Sequence, residues 1–423
     1  MSLSELIGIY ENRTTFTCGA PWPPAIQNES IAALEPGAAT EGRPYRFELF
    51  AFRMALASLL VGFFVMNAHA QPKLKDVFKD SFRVGVAINR AQFFEEDSRG
   101  AEIIKTQFNS ISPENILKWE SVHPKPGSFS FEAPDRYVAF GEKNHMFIVG
   151  HTLVWHNQTP AWVFQDEKGN PLDREGLLKR MRDHILTVVG RYKGRIKGWD
   201  VVNEALNEDG TMRPTPWMKI IGDDYIAKAF EFAHQADPDA ELYYNDYSLE
   251  NEQKRNGAIE LIRKLKAQGI PITAVGLQGH DKMEWPSVEQ QDATIAAFGK
   301  LGVKVMITEL DVDVLPPASQ HRGADITLNV ELQARLNPYA NGLPESIQES
   351  LAKRYADLFG VFLKHREVIS RVTFWGVTDG DSWLNGWPVK GRTSYPLLFD
   401  RRGQPKPAFD AVIQAARRSS THR

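Results

Sequence analysis

The stretch Gly198-Trp-Asp-Val-Val-Asn-Glu204 is mostly apolar and finishes on a carboxylate. Lys304-Val-Met-Ile-Thr-Glu309 repeats this arrangement later in the chain. A short apolar run with polar residues at its end is typical of a strand that is buried on both faces, as in a parallel sheet. The two stretches therefore predict buried strands, each with an acidic side chain at its carboxyl end.

Further apolar runs follow residue 71 and bring the predicted strands to eight. Amphipathic stretches separate them. Residues 177–192, for example, place apolar side chains at spacings of three and four, which is the period of a helix. Alternation of strands and helices is the pattern of a parallel sheet with crossover helices. The predicted strands are residues 84–89, 108–114, 147–155, 198–204, 241–247, 274–280, 304–311 and 372–377.

The strand and helix units cover residues 71–416 and predict a single (β/α)8 TIM barrel of the α/β class. No Pro- or Ser-rich linker divides this part of the sequence into separate domains. Two helices are predicted near its end, at residues 345–369 and 407–417, followed by a disordered tail at 417–423. A doubly wound open sheet is the alternative, because a count of strands does not prove that the sheet closes.

The composition is that of a globular protein with a neutral partner. Of 423 residues, 42% are hydrophobic and 24% are charged, which is enough apolar material for a sizeable core. A net charge of −3, with Lys and Arg spread along the chain, excludes the basic field that a nucleic-acid binder needs. The ten Trp residues include several in turn-rich stretches, where exposed indole rings suit the faces of sugars.

A targeting segment is predicted near the amino terminus. Residues 54–70 combine an apolar run with Ala68-His-Ala70, a small-residue cleavage site typical of a signal peptide. We interpret residues 1–53 as an unstructured leader or a mis-assigned start. Cleavage after Ala70 predicts a secreted or periplasmic protein without membrane contact, and it removes Cys18, the single cysteine. We also expect the protein to be a monomer. An uncleaved anchor is the alternative, but the apolar run is short of the roughly 20 residues that span a bilayer.

The two acidic strand ends predict a reaction. A barrel gathers the carboxyl ends of its strands around one site, so Glu204 and Glu309 are expected to face each other. Hydrolysis of an acetal needs one carboxyl group to protonate the leaving oxygen and another to attack the anomeric carbon or to activate water. A separation of about 5–5.5 Å predicts retention of configuration, and about 6.5–9.5 Å predicts inversion. Sequence spacing leaves this choice open.

Neighbours of the carboxylates predict how their protons are held. Side chains two residues apart on a strand share a face, which groups Glu309 with Asp311 and Gln278 with His280. We expect Asp311 to fix the tautomer of His280, which then donates a hydrogen bond to Glu309 and keeps its pKa low. Glu204 has fewer cations near it in sequence and is expected to stay protonated.

His151 and Trp155 are four residues apart and are expected on one strand face. Together with His280 and the carboxylates, His151 also makes a metallohydrolase an alternative. The sequence contains no His-x-His pair and no His-Glu-x-x-His helix of zinc-ligand spacing, so we predict no metal and no cofactor. Trp383 lies among turn-forming residues and, together with Trp375, is predicted to stack on pyranose rings.

Several motifs together carry a family resemblance. They are Ser112-Pro-Glu-Asn-Ile-Leu-Lys-Trp-Glu120, His151-Thr-Leu-Val-Trp-His156, Trp199-Asp-Val-Val-Asn-Glu-Ala-Leu206, Tyr244-Asn-Asp-Tyr247, Gly276-Leu-Gln-Gly-His280 and Ile307-Thr-Glu-Leu-Asp311. In this order they resemble the motifs of the xylanases of glycoside hydrolase family ten, across residues 72–416. The resemblance implies an endo-β-1,4-xylanase that acts on xylan and xylo-oligosaccharides.

The resemblance also implies a mechanism. In a retaining double displacement, Glu309 is the nucleophile and Glu204 is the acid and base. Asn203 is implied to hold the sugar 2-hydroxyl. Neighbouring residues of an ideal strand face opposite ways, so this role requires the strand to twist or bulge at its end.

A set of substrate contacts follows from the same resemblance. Glu114, Asn115 and Lys118 are expected to line the second glycone subsite. Around the bond to be cut, the resemblance implies His151, Trp155, Gln158, Gln278, His280, Trp375 and Trp383. Tyr247 and Asn245 are expected to form the aglycone wall and to support Glu204.

Rival functions remain within a narrow range. A β-1,4-glucanase or a glycosidase of mixed specificity differs in admitting the hydroxymethyl group of glucose. A noncatalytic xylan-binding protein would use the same aromatic cleft, but two intact carboxylates argue against it. Residues 314–343 form a segment longer than a minimal barrel loop, and it either extends the distal subsites or caps the barrel.

Overall fold

The computed structural model describes residues 71–318 and 331–421. The predicted leader at 1–53 and the predicted signal peptide at 54–70 lie outside the described residues, as do residues 319–330 of the long loop and residues 422–423. Within the two described ranges, no helix combines the length and the apolar character needed to cross a bilayer.

Parallel strands form a closed barrel. The strands are β1 (Arg83–Ile88), β2 (Ser110–Pro113), β3 (Phe147–Val154), β4 (Gly198–Asn203), β5 (Glu241–Asp246), β6 (Ala274–Leu277), β7 (His280–Lys282), β8 (Lys304–Asp313) and β9 (Ile369–Phe374). The first strand pairs with β2 and β9, and β6 pairs with β5 and β8, so the sheet closes on itself. Short β7 continues β6 along β8 after a break at Gly279, where φ is 77°. With β6 and β7 counted as one broken strand, the predicted (β/α)8 barrel is confirmed and the open sheet is excluded.

Each strand of the barrel is followed by a long helix on its way to the next. These helices are Ser98–Gln107, Glu132–Lys143, Arg174–Arg191, Tyr225–Ala236, Glu252–Ala267, Val288–Gly299, Glu345–Lys364 and Pro407–Thr421. Shorter helices are Leu74–Val77, Arg90–Phe93, Trp119–Val122 and Pro216–Ile220, with 3-10 turns at Ala161–Val163, Ala334–Leu336 and Trp383–Asn385. Side-chain oxygens of Asp97, Asp173 and Ser287 accept backbone N–H groups at three helix starts, which satisfies donors that the helix itself leaves unpaired.

Two predicted boundaries near the carboxyl terminus were wrong. The helix predicted at 345–369 ends at Lys364, and Ile369 already begins β9, where it pairs with Val305. The prediction started this strand three residues late because Arg371 interrupts its apolar run. Arg371 is nevertheless buried, with its guanidinium carbon 5.4 Å from the centroid of the Tyr243 ring.

The tail predicted at 417–423 is also corrected. The last helix extends from Pro407 to Thr421, so that helix covers most of the segment. Apolar periodicity stops near Ala416, which is why the sequence placed the helix end too early. Once a helix is nucleated, each further residue adds a hydrogen bond, and Arg418 in the last turn interacts favourably with the helix dipole.

Side chains from separate strands fill the interior of the barrel. Val149, Tyr243, Ala274 and Met306 form a buried cluster of their own, and because Val149 and Tyr243 belong to strands that are not neighbours, the cluster lies inside the ring. A larger apolar core lies between the sheet and the helices. Side chains therefore fill the interior of the barrel, and a ligand can bind only at its end.

The described part of the long loop, residues 331–343, packs onto the segment that follows β9. Leu336 is fully buried. Asn337 Oδ1 accepts the Thr393 amide at 2.9 Å, and the Tyr339 carbonyl accepts the Tyr395 hydroxyl at 2.7 Å. These contacts favour the capping role over an extension of the substrate cleft for this part of the loop.

Candidate active site

A single cleft opens where the strands end at their carboxyl sides. Its walls combine acidic, amide and aromatic side chains, as expected for a site that holds a polar ring compound. The lining residues are Glu114, Asn115, Lys118, His151, Trp155, Gln158, Asn203, Glu204, Gln278, His280, Glu309, Trp375, Asp381 and Trp383. The fold thus brings together residues from distant parts of the sequence at the end of the barrel where such enzymes place their chemistry.

The end of β4 is distorted, as the implied role of Asn203 requires. The pairing of β4 with β5 shifts register between Asp200 and Val202, and Glu204 has a φ of 58° in the left-handed region. Left-handed backbone is uncommon for a glutamate and reverses the alternation of an ideal strand. As a result, Asn203 and Glu204 both face the cleft although they are adjacent.

Three donors surround the nearly buried Glu204 carboxyl group. Trp155 Nε1 donates to Oε2 at 2.8 Å, and Gln278 Nε2 donates to Oε1 at 3.0 Å. Asn203 Nδ2 lies 3.2 Å from Oε1. Burial and the negative charge of Asp246 raise the pKa of Glu204, against the lowering effect of the Gln278 and Trp155 hydrogen bonds. Glu204 therefore keeps its proton to a higher pH than an ordinary glutamate does.

Glu309, equally buried, has the opposite tendency. Asn245 Nδ2 donates to Oε1 at 2.8 Å, and His280 Nε2 lies 3.2 Å from Oε2. Burial raises the pKa of Glu309, but the His280 hydrogen bond, the charges of His151 and His280, and the Asn245 hydrogen bond lower it below its usual value. Glu309 is therefore held as an anion.

His280 lies between two carboxylates, as the sequence predicted. Its Nε2 faces Glu309, and its Nδ1 lies 3.1 Å from Asp311 Oδ2. Burial opposes protonation of the ring, but Asp311 and Glu309 raise the pKa of His280 to about 10. The ring is thus an imidazolium at neutral pH. Trp383 Nε1 donates to Asp311 Oδ2 at 2.7 Å and orients the outer carboxylate.

The predicted glycone contacts share a hydrogen-bond network. Lys118 Nζ donates to Asn115 Oδ1 at 2.9 Å and to Gln158 Oε1 at 2.9 Å, and it lies 5.0 Å from the centroid of the Trp155 ring. Burial lowers the pKa of Lys118, while the surrounding carboxylates, Glu309 first, raise it. Two hydrogen bonds thereby hold Lys118 in a fixed position in the cleft wall, which Glu114 also lines.

Aromatic rings close the cleft on the side of β9. Trp375 meets the His151 ring edge-on at a centroid distance of 5.5 Å, and Trp383 stacks on Trp387 at 4.5 Å. His151 is fixed from behind, because its Nδ1 lies 2.9 Å from Asp200 Oδ2. Within residues 71–318 and 331–421, no three His, Cys, Asp or Glu side chains are grouped as metal ligands.

Two residues that were predicted as substrate contacts, Asn245 and Tyr247, are buried in the structure. Neither residue lines the cleft. Asn245 is fully buried and its side chain contacts Glu309 rather than Glu204, which it meets only through a backbone hydrogen bond of 2.9 Å. A Cβ at Gly276 would lie 2.2 Å from Asn245 Oδ1, so a glycine there leaves room for the amide.

Tyr247 is buried between two cations. Arg213 donates to its hydroxyl at 2.7 Å, and Lys254 Nζ lies 3.5 Å from its ring centroid. Lys254 also pairs with Asp246 at 3.0 Å. The position of Tyr247 is therefore set by two charged neighbours that the sequence alone did not relate to it.

Sequence reasoning missed three residues that complete the site. Asp200 holds His151, Thr308 donates to Asn245 Oδ1 at 2.6 Å, and Asp381 lines the cleft. Asp200 had a signal, because it is a charged residue inside an apolar strand. Asp381 lies two residues before Trp383 in the same turn-rich stretch, which also pointed to it.

A glycoside hydrolase needs one carboxyl group that is protonated and one that is ionised, and this cleft holds two carboxyl groups with pKa values shifted in opposite directions. Comparison with known families agrees with this class. The sequence profile of glycosyl hydrolase family 10 matches residues 73–415, and the chain belongs to this family.

Alignments with similar proteins cover nearly all of the described residues. Endo-1,4-beta-xylanase A of Xylanibacter ruminicola is 47% identical over 347 residues, which cover 82% of this chain and 94% of that protein. The structure of a family 10 endoxylanase retrieved from a sugarcane soil metagenome has 48% identity and a TM-score of 0.79, and covers 81% of this chain and 99% of that one. The structure of xylanase XynB from Paenibacillus barcinonensis, in complex with a conduramine derivative, has 39% identity and a TM-score of 0.74. It covers 81% of this chain and 98% of that one.

Proposed function

We propose that the protein is an endo-β-1,4-xylanase that cleaves internal bonds of xylan with retention of anomeric configuration. The observation that carries the proposal is the pair of buried carboxyl groups in one cleft, with the pKa of Glu204 raised and the pKa of Glu309 lowered. Membership of family 10 and the names of the similar enzymes support xylan as the substrate.

In the first step, a Glu309 oxygen attacks the anomeric carbon as the glycosidic bond breaks. The leaving oxygen takes the proton of Glu204, so the aglycone departs as a neutral alcohol and the sugar stays bonded to Glu309. His280 and Asn245 hold Glu309 in place for the attack. The positive charge of His280 keeps the carboxylate ionised until the new bond forms.

In the second step, the ionised Glu204 removes a proton from water. The water oxygen attacks the anomeric carbon, and the bond to Glu309 breaks with its electron pair returning to the carboxylate. Two inversions at one carbon give net retention. We assign the sugar 2-hydroxyl to Asn203, which lines the cleft and has its Nδ2 3.2 Å from Glu204 Oε1, and we expect that contact to strengthen toward the transition state.

The pH dependence of kcat/KM is expected to be bell-shaped, with the acid limb set by Glu309 and the basic limb set by Glu204. Trp155→Phe removes a donor that lowers the pKa of Glu204. The proton is then lost at higher pH, and we expect the basic limb to move up by roughly one pH unit. Initial rates on xylo-oligosaccharides across the pH range measure this shift.

Trp162→Phe is the matched control for this experiment. Trp162 Nε1 donates to the Pro124 carbonyl at 3.0 Å, and the residue does not line the cleft. Its substitution should leave both limbs in place. A basic limb that stays fixed or moves down in Trp155→Phe would remove Glu204 as the group that sets it.

Substrate class is tested by comparing initial rates on xylan and on carboxymethyl cellulose. We infer that Trp375 and Trp383, which line the cleft, take up the space that the hydroxymethyl group of glucose would need, so we expect xylan to be cleaved much faster. Equal or greater activity on cellulose would favour the β-1,4-glucanase or mixed-specificity alternative. Binding of xylan without any cleavage would favour the noncatalytic alternative.

We further propose that the protein is exported and acts as a monomer on xylan outside the cytoplasm. The support is the apolar run at 54–70 with its small-residue cleavage site, which lies outside the described residues. Amino-terminal sequencing of the exported protein should find Gln71 or a near neighbour as the first residue. Any distant start would contradict the cleavage site.

A further inference from the structure

Asp381 lines the cleft without a part in the steps above. It follows β9 in the loop that also carries Trp383, and its side chain is partly exposed. Thr378 holds it in place, because Thr378 Oγ1 donates to Asp381 Oδ2 at 2.7 Å and the Asp381 amide donates to the Thr378 carbonyl at 3.0 Å. A carboxylate fixed in the wall of a cleft attracts positively charged ligands and repels negatively charged ones.

Charges around Asp381 are mainly negative. Burial and the Asp381 charge raise the pKa of Glu114 to about 7, against the lowering effect of Lys118. Burial also raises the pKa of Asp381, as does the charge of Asp97, while the Thr378 hydrogen bond lowers it. The two cleft-lining carboxyl groups, Glu114 and Asp381, therefore lie close enough to influence each other.

The positive charge at this end of the cleft is already engaged. Among the described residues that line the cleft, Lys118 is the only lysine or arginine. Its ammonium group donates to Asn115 and Gln158, and the charges of Glu309, Glu204 and Glu114 act on it. The His280 imidazolium also lines the cleft, but it lies between Glu309 at 3.2 Å and Asp311 at 3.1 Å. An incoming anion would therefore meet two carboxyl groups and two cations that already have partners.

We propose that Asp381, together with Glu114, disfavours xylan chains that carry a uronic acid side group at this end of the cleft. The proposal rests on the xylanase function, because it concerns which xylan chains the same cleft accepts. A uronate is ionised at neutral pH, and repulsion between like charges is stronger beside low-dielectric walls than in water. Unsubstituted and arabinose-bearing chains are neutral and escape this repulsion.

The test compares Asp381→Asn with the wild type on two xylo-oligosaccharides of equal length. One is unsubstituted and the other carries a single glucuronic acid side group. Asparagine keeps an acceptor for Thr378 and removes the charge. We expect the ratio of kcat/KM on the acidic substrate to kcat/KM on the neutral substrate to rise roughly three- to tenfold in Asp381→Asn.

Two controls separate charge from size and from net charge. Reduction of the glucuronic acid carboxyl to an alcohol gives a side group of nearly the same size without charge, and Asp381→Asn should not change its ratio to the unsubstituted substrate. Glu367→Gln makes the same change of net charge at a side chain that is 92% exposed and precedes β9, at the opposite end of the barrel. This control should leave the ratio and the activity unchanged.

Salt and pH give readouts that a steric role would not move. Added salt screens charges, so it should raise the wild-type ratio and have less effect on Asp381→Asn. As pH rises through about 7, Glu114 loses its proton and the wild-type ratio should fall further.

The outcomes are distinct. A ratio that does not change in Asp381→Asn would overturn the proposal, and so would discrimination against the reduced side group equal to that against the acid. An equal loss of kcat/KM on both substrates would show that Asp381 binds sugar hydroxyls instead. If the wild type cleaves no xylo-oligosaccharide at all, the xylanase function itself fails, which is a different result.

Discussion

Replacement of Glu309 by alanine is expected to lower kcat/KM on xylan by roughly 10⁴-fold or more. Without the carboxylate no covalent bond to the anomeric carbon can form, and the positive charge that develops on the sugar loses its buried counter-ion. Asn245 and His280, which bond Glu309 in the native cleft, remain in place but have no nucleophile to hold. Binding should persist, so the variant should still be retained by insoluble xylan. Release of reducing sugar measures the rate.

Azide distinguishes this role from a general loss of folding. It fits the space left by Glu309→Ala and should attack the anomeric carbon from the Glu309 side. With an aryl xylobioside, a single displacement then gives the α-glycosyl azide. Glu367→Ala, at an exposed position, serves as the control and should keep wild-type activity. Near wild-type cleavage by Glu309→Ala, or a β-glycosyl azide from it, would remove the nucleophile assignment.

Replacement of Glu204 by alanine is expected to have an effect that depends on the leaving group. On xylan the departing alcohol needs a proton, and we expect kcat/KM to fall roughly 10²- to 10⁴-fold. A dinitrophenyl xylobioside needs no proton to leave, so formation of the glycosyl-enzyme should be much less affected. Its hydrolysis then slows because no base activates water, and a burst of dinitrophenol should precede a slow steady state.

Azide also separates the two carboxyl groups. In Glu204→Ala, the covalent bond to Glu309 forms as before, and azide replaces water in the second step. The product should be the β-glycosyl azide, opposite to that from Glu309→Ala. An equal loss of rate on xylan and on the dinitrophenyl substrate would contradict the acid and base role of Glu204.

The sequence was most informative about the barrel strands. Apolar runs such as those of β4 and β8 show where chain is buried on both faces, and buried strands that alternate with amphipathic helices narrow the fold to few arrangements. Closure depends on β1 pairing with β9, the first and last strands of the barrel, and no local sequence pattern encodes a contact between residues so far apart in the chain. Arg371 shows the limit of the same reasoning, because a buried charge stacked on aromatic rings resembles a strand end in sequence.

The site was predictable where a residue stands at a strand end. Glu204 follows this rule, because it comes directly after β4. Glu309 lies within β8 and His280 begins β7, but strand periodicity correctly grouped Glu309 with Asp311, and both contact His280. Asn245 also stands at a strand end but faces inward, because its partners Thr308 and Glu309 lie on β8 rather than nearby in sequence. Contacts between side chains on different strands depend on the tertiary structure, so local sequence patterns do not predict them.

The adjacent Asn203 and Glu204 mark the other limit. That both face the cleft requires a register shift and a left-handed glutamate, neither of which follows from strand propensity. The resemblance to a family of known mechanism demanded the distortion, and backbone geometry supplies it. Strand periodicity does not predict the orientation of these two side chains, because unusual backbone conformations are concentrated at functional sites.

The central claim is a double displacement through Glu309, and the anomer of the first-formed product tests it most directly. Proton NMR of a xylo-oligosaccharide digest, recorded before mutarotation, distinguishes the two anomers. The pair of Glu204 and Glu309 acting in sequence predicts that the β-anomer appears first and that the α-anomer grows only as mutarotation proceeds. An initial α-product from the β-linked chain would contradict the account.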